Sequence, residues 1–509
     1  MNTKEIRTIL SEALPTVDID SDFLFTELDS LSVATVLYVL GEKYQILLDS
    51  DDVTPRNFKD IDSLGAMVRQ KMSLESKIKQ FAMSTPDKVA AICGKDQVSY
   101  SGLWEAICKR AGELEEKGLS KGRPYVFRAS QDIDFLVTYC AVHCIGAIAV
   151  PLENKTSDEN FAAVRKEVES YDFPAEISDC LYTTGTTGRS KGVMHSRDFL
   201  VAMTDNFISG LGFSPQLLFI VSGPLNHIAS LCKIHPTLSV GATLCIVDGL
   251  KDTGAFFDAF SLPYEKFATF LVPASIRLLM QFSYDKLCAL APKIDFIETG
   301  AAPITGADMK KLSLALPGSR LYNTYGGTEI GCAATYNFND GRYMEGCIGK
   351  AFKNSRVEVT PEGNITVSGD NIMSGYVNDS EGTARVLVNG KIHMSDMGYA
   401  DSEGMIHLSG RSDDIINAGG FNVNPLEVEN AAASFDAVKD SICIAAQHPV
   451  TGTALKLLVV AQGDVAMDKR ALAAHLKTKL EAYKVPTMYE IVESIDYTYN
   501  GKKNRKSYK

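Results

Sequence analysis

The chain has 509 residues, 45% of them hydrophobic and 22% charged, with a formal net charge of −12. That length exceeds one hydrophobic core and implies roughly two to four domains, while the acidic balance argues against nucleic-acid binding as a main role. No apolar run reaches the length of a membrane span, the N-terminus lacks a signal-peptide core, and eleven scattered cysteines without a CxxC pair fit a reduced, cytoplasmic setting.

The first 72 residues hold seven basic against thirteen acidic side chains, half of the net charge in a seventh of the chain. Ile6, Ile9, Leu10, Ala13 and Leu14 follow the spacing of an amphipathic helix. Val33, Val36, Leu37, Leu40 and Tyr44 repeat it in a second helix entered through Asp29-Ser30-Leu31. A turn around Pro55-Arg56-Asn57-Phe58 leads to a last helix with Leu64, Met67 and Val68. This order of elements resembles an acyl or peptidyl carrier protein. The resemblance implies 4′-phosphopantetheine on Ser30, attached by a phosphopantetheinyl transferase, with Asp18, Asp20, Asp22, Glu27 and Asp29 as an acidic docking face. A helix N-terminus suits a phosphodiester. The second such tripeptide, Asp62-Ser63-Leu64, reads as an N-cap.

From about Phe81 helical and buried-strand patterns alternate, as in α/β layers with parallel strands. Val89–Ile92 and Ala147–Pro151 read as strands, and Ser101–Glu116 as a helix. Cys140 and Cys144 would share a helix face and read as core packing rather than metal ligands. After Leu181-Tyr182 comes Thr183-Thr184-Gly185-Thr186-Thr187-Gly188-Arg189-Ser190-Lys191-Gly192. Glycines that admit backbone amides, four threonine hydroxyls and a lysine suit a polyphosphate. The spacing differs from a Walker loop, which needs Gly-x-x-x-x-Gly-Lys-Ser/Thr.

Further segments follow in order. Gly300-Ala301-Ala302-Pro303 is a small-residue corner after strand-like Asp295–Glu298. Asn323-Thr324-Tyr325-Gly326-Gly327-Thr328-Glu329 joins an aromatic, a tight turn, a hydroxyl and a carboxylate. Ser395-Asp396-Met397-Gly398 offers a carboxylate for ribose hydroxyls. Gly410-Arg411-Ser412-Asp413-Asp414 and Gly419-Gly420-Phe421-Asn422-Val423 follow, and Asn500-Gly501-Lys502-Lys503-Asn504-Arg505 closes the set.

Together these segments resemble the adenylate-forming superfamily of acyl- and aryl-CoA ligases, peptide-synthetase adenylation domains and luciferases, over residues 76 to 509. The resemblance implies ATP and Mg²⁺ between a large lobe and a small mobile one hinged at Asp413. It places Thr183, Thr184, Gly185, Thr186, Thr187, Gly188 and Lys191 on the β- and γ-phosphates. Gly300, Ala301, Ala302 and Tyr325 flank adenine, with Asn323, Thr324, Gly326 and Gly327 in the same nucleotide site. Asp396 and Arg411 hold ribose, Glu329 and Thr183 hold the metal, and Thr328 meets the phosphate–carboxylate region. Gly419 and Gly420 line a pantetheine tunnel. Lys502 bridges the substrate carboxylate and the α-phosphate, in line with the need to neutralise two approaching anions.

The stretch from Pro151 to Cys180 is short for the family, which implies a trimmed strand–helix unit. The usual Thr-Gly-Asp becomes Met394-Ser395-Asp396, and Arg189 replaces a small residue. His227 stands where CoA ligases place an aromatic or His beside the acyl pocket. Its neighbour is Ile228, where amino-acid-activating relatives carry an aspartate, so an acid without an α-amino group is expected.

The expected fold class is multidomain: a small all-α four-helix carrier bundle (1–74), a large α/β adenylating lobe (75–411) and a small α+β C-terminal lobe (412–509). The expected function is ATP-dependent activation of a fatty, short-chain or aryl acid and its transfer to pantetheine at Ser30, for a downstream acyl-transferring or condensing enzyme. A ligase using free CoA, an amino-acid-activating adenylation–carrier didomain, and an inactive binding scaffold are the alternatives. The short tether leaves loading within one chain or between two copies open.

Overall fold

The computed structural model describes residues 3–183, 190–250, 253–418, 421–448, 452–463, 467–497 and 503–508. The chain opens with helices α1 (Thr3–Ala13), α2 (Leu24–Glu27), α3 (Ser30–Tyr44) and α4 (Ile61–Lys71). Their apolar stripes meet around Ile6, Leu10, Val36, Leu40, Phe58 and Val68. Asp29, rather than Ser30, caps α3, accepting a hydrogen bond from the Ser32 amide at 2.7 Å. Likewise Asp60 caps α4 by accepting from the Ser63 amide at 2.8 Å, so Ser63 lies inside the helix instead of capping it.

These helices do not form the separate carrier bundle expected, and the fold class is corrected accordingly. Only Met72 and Ser73 separate α4 from α5 (Leu74–Ser84), and Leu74 and Ile78 already belong to the core of the large lobe. The Lys77 ammonium, on α5, donates to the Gln45 carbonyl, and Arg69 Nε pairs with Asp198 Oδ1 at 3.1 Å. Burial pulls the Lys77 ammonium down to about 8.

Beneath α5 lies a buried ionic cluster. His143 Nδ1 bonds Glu75 Oε1 at 2.8 Å, and His143 Nε2 lies 3.4 Å from Asp179 Oδ1 without hydrogen-bond geometry. Tyr139 Oη and His235 Nε2 are 3.0 Å apart beside it. The architecture is thus a large α/β lobe, with the first helices built onto it, and a small C-terminal lobe.

In chain order the large lobe continues with β1 (Val89–Cys93), β2 (Asp96–Ser99), α6 (Tyr100–Glu116), β3 (Pro124–Ala129), α7 (Ile133–Ile145), β4 (Ile148–Glu153), α8 (Asp158–Glu169), β5 (Ile177–Tyr182), β6 (Gly192–Ser196), α9 (Arg197–Leu211), β7 (Leu217–Val221), α10 (Ile228–Ser239), β8 (Thr243–Ile246), β9 (Lys266–Phe270), β10 (Ile294–Gly300), β11 (Arg320–Gly327) and β12 (Gly331–Asn337). Cys140 is buried in α7, whereas Cys144 is exposed. One helix and one strand, α8 and β5, follow β4 in the short stretch after Pro151.

Among the described residues the largest sheet has β1, β8, β7, β9, β10 and β11 as parallel neighbours, with β12 returning antiparallel to β11. All of β7 is buried, the pattern of a strand covered on both faces. A second sheet runs β3, β4, β5 in parallel. There β6 lies antiparallel to β5, and Gly375–Tyr376 to β6.

The C-terminal segment has its own core around Val428, Cys443, Leu455, Leu457, Leu472 and Leu476. Strands Val438–His448 and Gly452–Ala461 pair antiparallel, and Met488–Ile491 adds a parallel third. Lys503 Nζ lies 3.2 Å from Glu429 Oε2, and Arg505 Nη1 lies 2.7 Å from Glu429 Oε1. The basic tail is therefore held against a buried carboxylate at these two positions.

Candidate active site

The phosphate-loop candidate is closed at its base by the β5–β6 hairpin, in which Tyr182 faces Gly192. The Thr183 amide donates to the Lys191 carbonyl at 3.0 Å, and the Lys191 amide donates to Thr183 Oγ1 at 3.3 Å. The Ser190 hydroxyl also donates to the Thr183 carbonyl. Thr184, Gly185, Thr186, Thr187 and Gly188 lie outside the described residues.

Lys191 Nζ sits 3.0 Å from Asp379 Oδ2 and 4.4 Å from the centre of the Tyr376 ring. The Tyr376 hydroxyl donates to Glu329 Oε1 at 2.9 Å, while the Glu329 carbonyl accepts from the Met373 amide at 2.8 Å. Burial, with Glu329 second, pushes the Tyr376 phenol well up, so it stays a donor. Lys191, Tyr376, Asp379 and Glu329 thus form one linked cluster. Thr328 precedes Glu329 in the chain, and its carbonyl accepts from His195 Nε2 at 2.6 Å. Burial holds the His195 imidazole below its ordinary range, and the ring stacks on Phe199 at 4.0 Å.

A second group gathers Tyr325, Asp396 and Arg411. The Tyr325 hydroxyl donates to Asp396 Oδ2 at 2.7 Å, and Arg411 Nη1 lies 3.6 Å from Asp396 Oδ1. Asp396 and Arg411 face each other across the antiparallel strands Lys391–Ala400 and Ile406–Arg411, which sets that pairing. Arg411 also reaches Asp413, in the short 3-10 turn Ser412–Asp414, at 3.4 Å.

Gly300 ends β10 beside Thr324 of β11. Ala301 follows with φ +64°, a left-handed conformation unusual for a residue with a side chain. A Cβ on Gly300 would stand 2.7 Å from the Thr324 carbonyl oxygen, and one on Gly326 would stand 2.4 Å from that of Gly331. Gly300→Ala is therefore expected to lower stability by about 1–3 kcal/mol and to weaken nucleotide binding. Thermal unfolding and calorimetric titration with ATP check this; native values in both would show the corner has room. Asn323 Nδ2 donates to the Cys347 carbonyl at 2.8 Å, and Gly326 and Gly327 turn into β12 opposite Cys332 and Gly331.

His227 caps α10, its Nδ1 accepting from the Ala229 amide at 3.4 Å, with Ile228 opening the helix. Further along α10, Lys233 Nζ lies 2.9 Å from Glu298 Oε1. Gly419, Gly420 and Lys502 lie outside the described residues. Among the described residues no three His, Cys, Asp or Glu side chains come together as a metal site. A lone Glu329 suits Mg²⁺, which takes one or two carboxylates and completes its shell with substrate phosphates and water. Sequence reasoning missed Tyr376, Asp379, His195, Lys233 and Glu298, because none belongs to a segment with an unusual local pattern.

Fold and family together define a two-lobe AMP-binding enzyme. The family model described as AMP-binding enzyme matches residues 78–171 and 174–377, and that of the AMP-binding enzyme C-terminal domain matches residues 427–502. The chain belongs to the AMP-binding enzyme family. It is 27% identical over 478 residues to a feruloyl-CoA synthase of Amycolatopsis sp, covering 83% of this chain and 95% of that one. A 2-succinylbenzoate–CoA ligase of Listeria innocua is 24% identical over 84% of this chain and 97% of its own. With a CoA ligase of Rhodococcus jostii the match is 28% identical but spans only 64% of the relative's length. Among solved structures, ATP-bound MatB from Rhodopseudomonas palustris superposes with a TM-score of 0.77 at 23% identity, covering 86% of this chain and 99% of that chain. That likeness concerns the fold alone, and it is the two-lobe fold that replaces the carrier-first class expected. Among the described residues no helix is long and apolar enough to cross a membrane.

Proposed function

We propose that the chain uses ATP to convert a carboxylic acid into its acyl-adenylate and then passes the acyl group to the thiol of coenzyme A. The observation that carries this reading is the Lys191–Tyr376–Glu329 cluster beside the base of the Thr183–Gly192 segment, where Thr183 pairs with Lys191. Adenylation brings a carboxylate against a triphosphate, so the site needs cations and fixed donors where charge builds up. Lys191 supplies a charge beside the loop. Glu329, fixed by Tyr376, would hold Mg²⁺, whose chemistry is to neutralise the departing pyrophosphate. Asp396 and Arg411 would hold ribose, and the Gly300–Ala302 corner and Tyr325 would flank adenine. Lys502, carried on a C-terminal lobe 412–509 that turns about Asp413, would bridge carboxylate and α-phosphate. Gly419 and Gly420 would line the path of the pantetheine arm.

The acid is fatty, short-chain or aryl. Ile228 offers no carboxylate for an α-ammonium group, whose burial would be costly. For the second step, transfer to pantetheine on Ser30 gives way to free CoA, and with it the transferase and condensing partners expected for a carrier. What supports CoA is that relatives aligned over more than four fifths of this chain are named feruloyl-CoA synthase and 2-succinylbenzoate–CoA ligase.

Acid-dependent exchange of pyrophosphate into ATP, followed by mass detection of acyl-CoA, tests both halves. Exchange with at least one acid and a CoA thioester as product are the expected results. Absence of exchange across fatty, short-chain and aryl acids would overturn the first half. Exchange without acyl-CoA would overturn the second.

A further inference from the structure

Among the described residues of the large lobe the Lys233–Glu298 ion pair is the most deeply buried pair of opposite charges, with side chains 2% and 0% exposed. Lys233 lies on the helix that His227 caps, and Glu298 lies two residues before Gly300. Residues two apart on a strand share a face. Glu298 therefore projects on the side where Gly300 has no side chain. The Thr324 hydroxyl joins the two, standing 3.1 Å from where a Gly300 Cβ would be and donating to Glu298 Oε1 at 2.6 Å. Glycine corner, threonine and ion pair thus adjoin one another.

Its hydrogen bonding is incomplete. Glu298 Oε1 takes both donors, from Lys233 and Thr324, while the buried Oε2 has no partner among the described residues. Burying a carboxylate oxygen unpaired costs free energy, and such atoms are uncommon unless something else fills the need. The walls are apolar: the Phe207 and Phe270 ring centres lie 4.1 and 4.8 Å from Lys233 Nζ, and Cys232 Sγ lies 3.0 Å away. The pair is neutral overall. Lys233 disfavours an approaching cation and Glu298 an approaching anion, which leaves an uncharged donor as the group that fits.

We propose that Glu298, held in place by Lys233 and Thr324, selects acids that carry a hydroxyl, alcoholic or phenolic, at the end remote from the carboxylate, with Glu298 Oε2 accepting its hydrogen bond. The proposal rests on the acid-activating reading above. A site built to accept from a substrate hydroxyl discriminates strongly against the analogue lacking it, because the buried acceptor is then left unpaired.

The experiment is pyrophosphate exchange by the full chain with matched acids: a ring-hydroxylated aryl acid against its unsubstituted parent, and an ω-hydroxy fatty acid against its parent. At least about a hundredfold higher kcat/KM for the hydroxylated member of one pair is expected. In the double variant Lys233→Met/Glu298→Leu, which removes both charges together, that ratio is expected to fall to within about threefold of one, since paired buried charges tolerate joint apolar replacement. Exchange with equal preference in every pair would overturn the proposal while leaving acid activation intact. A folded double variant that keeps the native ratio would do the same. No exchange with any acid overturns both readings. If the double variant does not fold, the native ratios decide.

Discussion

Glu329→Gln is expected to lower acid-dependent pyrophosphate exchange by about a hundredfold to a thousandfold with little change in Tm. The amide oxygen still accepts from the Tyr376 hydroxyl that meets Oε1 at 2.9 Å, and the backbone bond to Met373 is untouched. What disappears is the negative charge, the one feature of this side chain that would hold Mg²⁺ against the phosphates. Losing a single electrostatic contributor in such a site costs about 10²–10³ in rate. The Mg²⁺ concentration for half-maximal exchange is expected to rise as well. A rate within threefold of the native chain, at any Mg²⁺ level, would remove Glu329 from the proposed machinery.

The second large effect concerns stability. Removing His143 leaves the Glu75 and Asp179 carboxylates without the imidazole that stands near both, and breaking a buried charge pair costs about 3–5 kcal/mol. His143→Leu is therefore expected to lower Tm by many degrees, with α5 the first element to loosen.

The pH dependence carries a signature. Burial pulls the His143 imidazole down, but Asp179 and Glu75 together outweigh it and lift it to about 10. For Glu75, burial pushes up and His143 pulls harder the other way, to about 2. A raised histidine contributes fully below its unfolded value of about 6.5 and loses that contribution as pH rises through its folded value. A depressed carboxylate contributes fully above its unfolded value near 4.5 and loses it as pH falls through the folded one. The cluster is thus strongest between about pH 4.5 and 6.5, and native Tm is expected to decline from pH 6.5 towards 10. In His143→Leu that decline flattens. A native Tm that holds level from pH 6.5 to 10, followed by differential scanning calorimetry, would show that His143 is neutral in the folded chain. His235, held down to about 4 mainly by burial, takes no part in the alkaline limb.

How much was legible differs from element to element. The helix read at Ser101–Glu116 is observed as Tyr100–Glu116, and the strands read at Val89–Ile92 and Ala147–Pro151 as Val89–Cys93 and Ile148–Glu153. These are local matters of periodicity and end signals, so a window of sequence holds the answer. The carrier reading shows the limit of such evidence. Asp29-Ser30-Leu31 announces the start of a helix, and Asp29 does cap it. An N-cap and an amphipathic stripe are equally what any helix packed onto a larger domain requires. They specify a helix, not its partner. The Lys77–Gln45 contact and the two-residue joint at Met72-Ser73 tie these helices to the large lobe, and neither has a signature in the first seventy residues.

By itself the sequence determined the succession of loops and strands and the family they resemble. These depend on backbone freedom and side-chain chemistry within a few neighbours. Only the tertiary structure decided which charges meet: Lys191 with Asp379, Tyr376 with Glu329, His143 with Glu75, Lys233 with Glu298. The strength of an ionic contact depends on how far water is excluded and on what else lies within a few ångströms. Folding alone creates both conditions, between residues 47 to 188 positions apart in the chain.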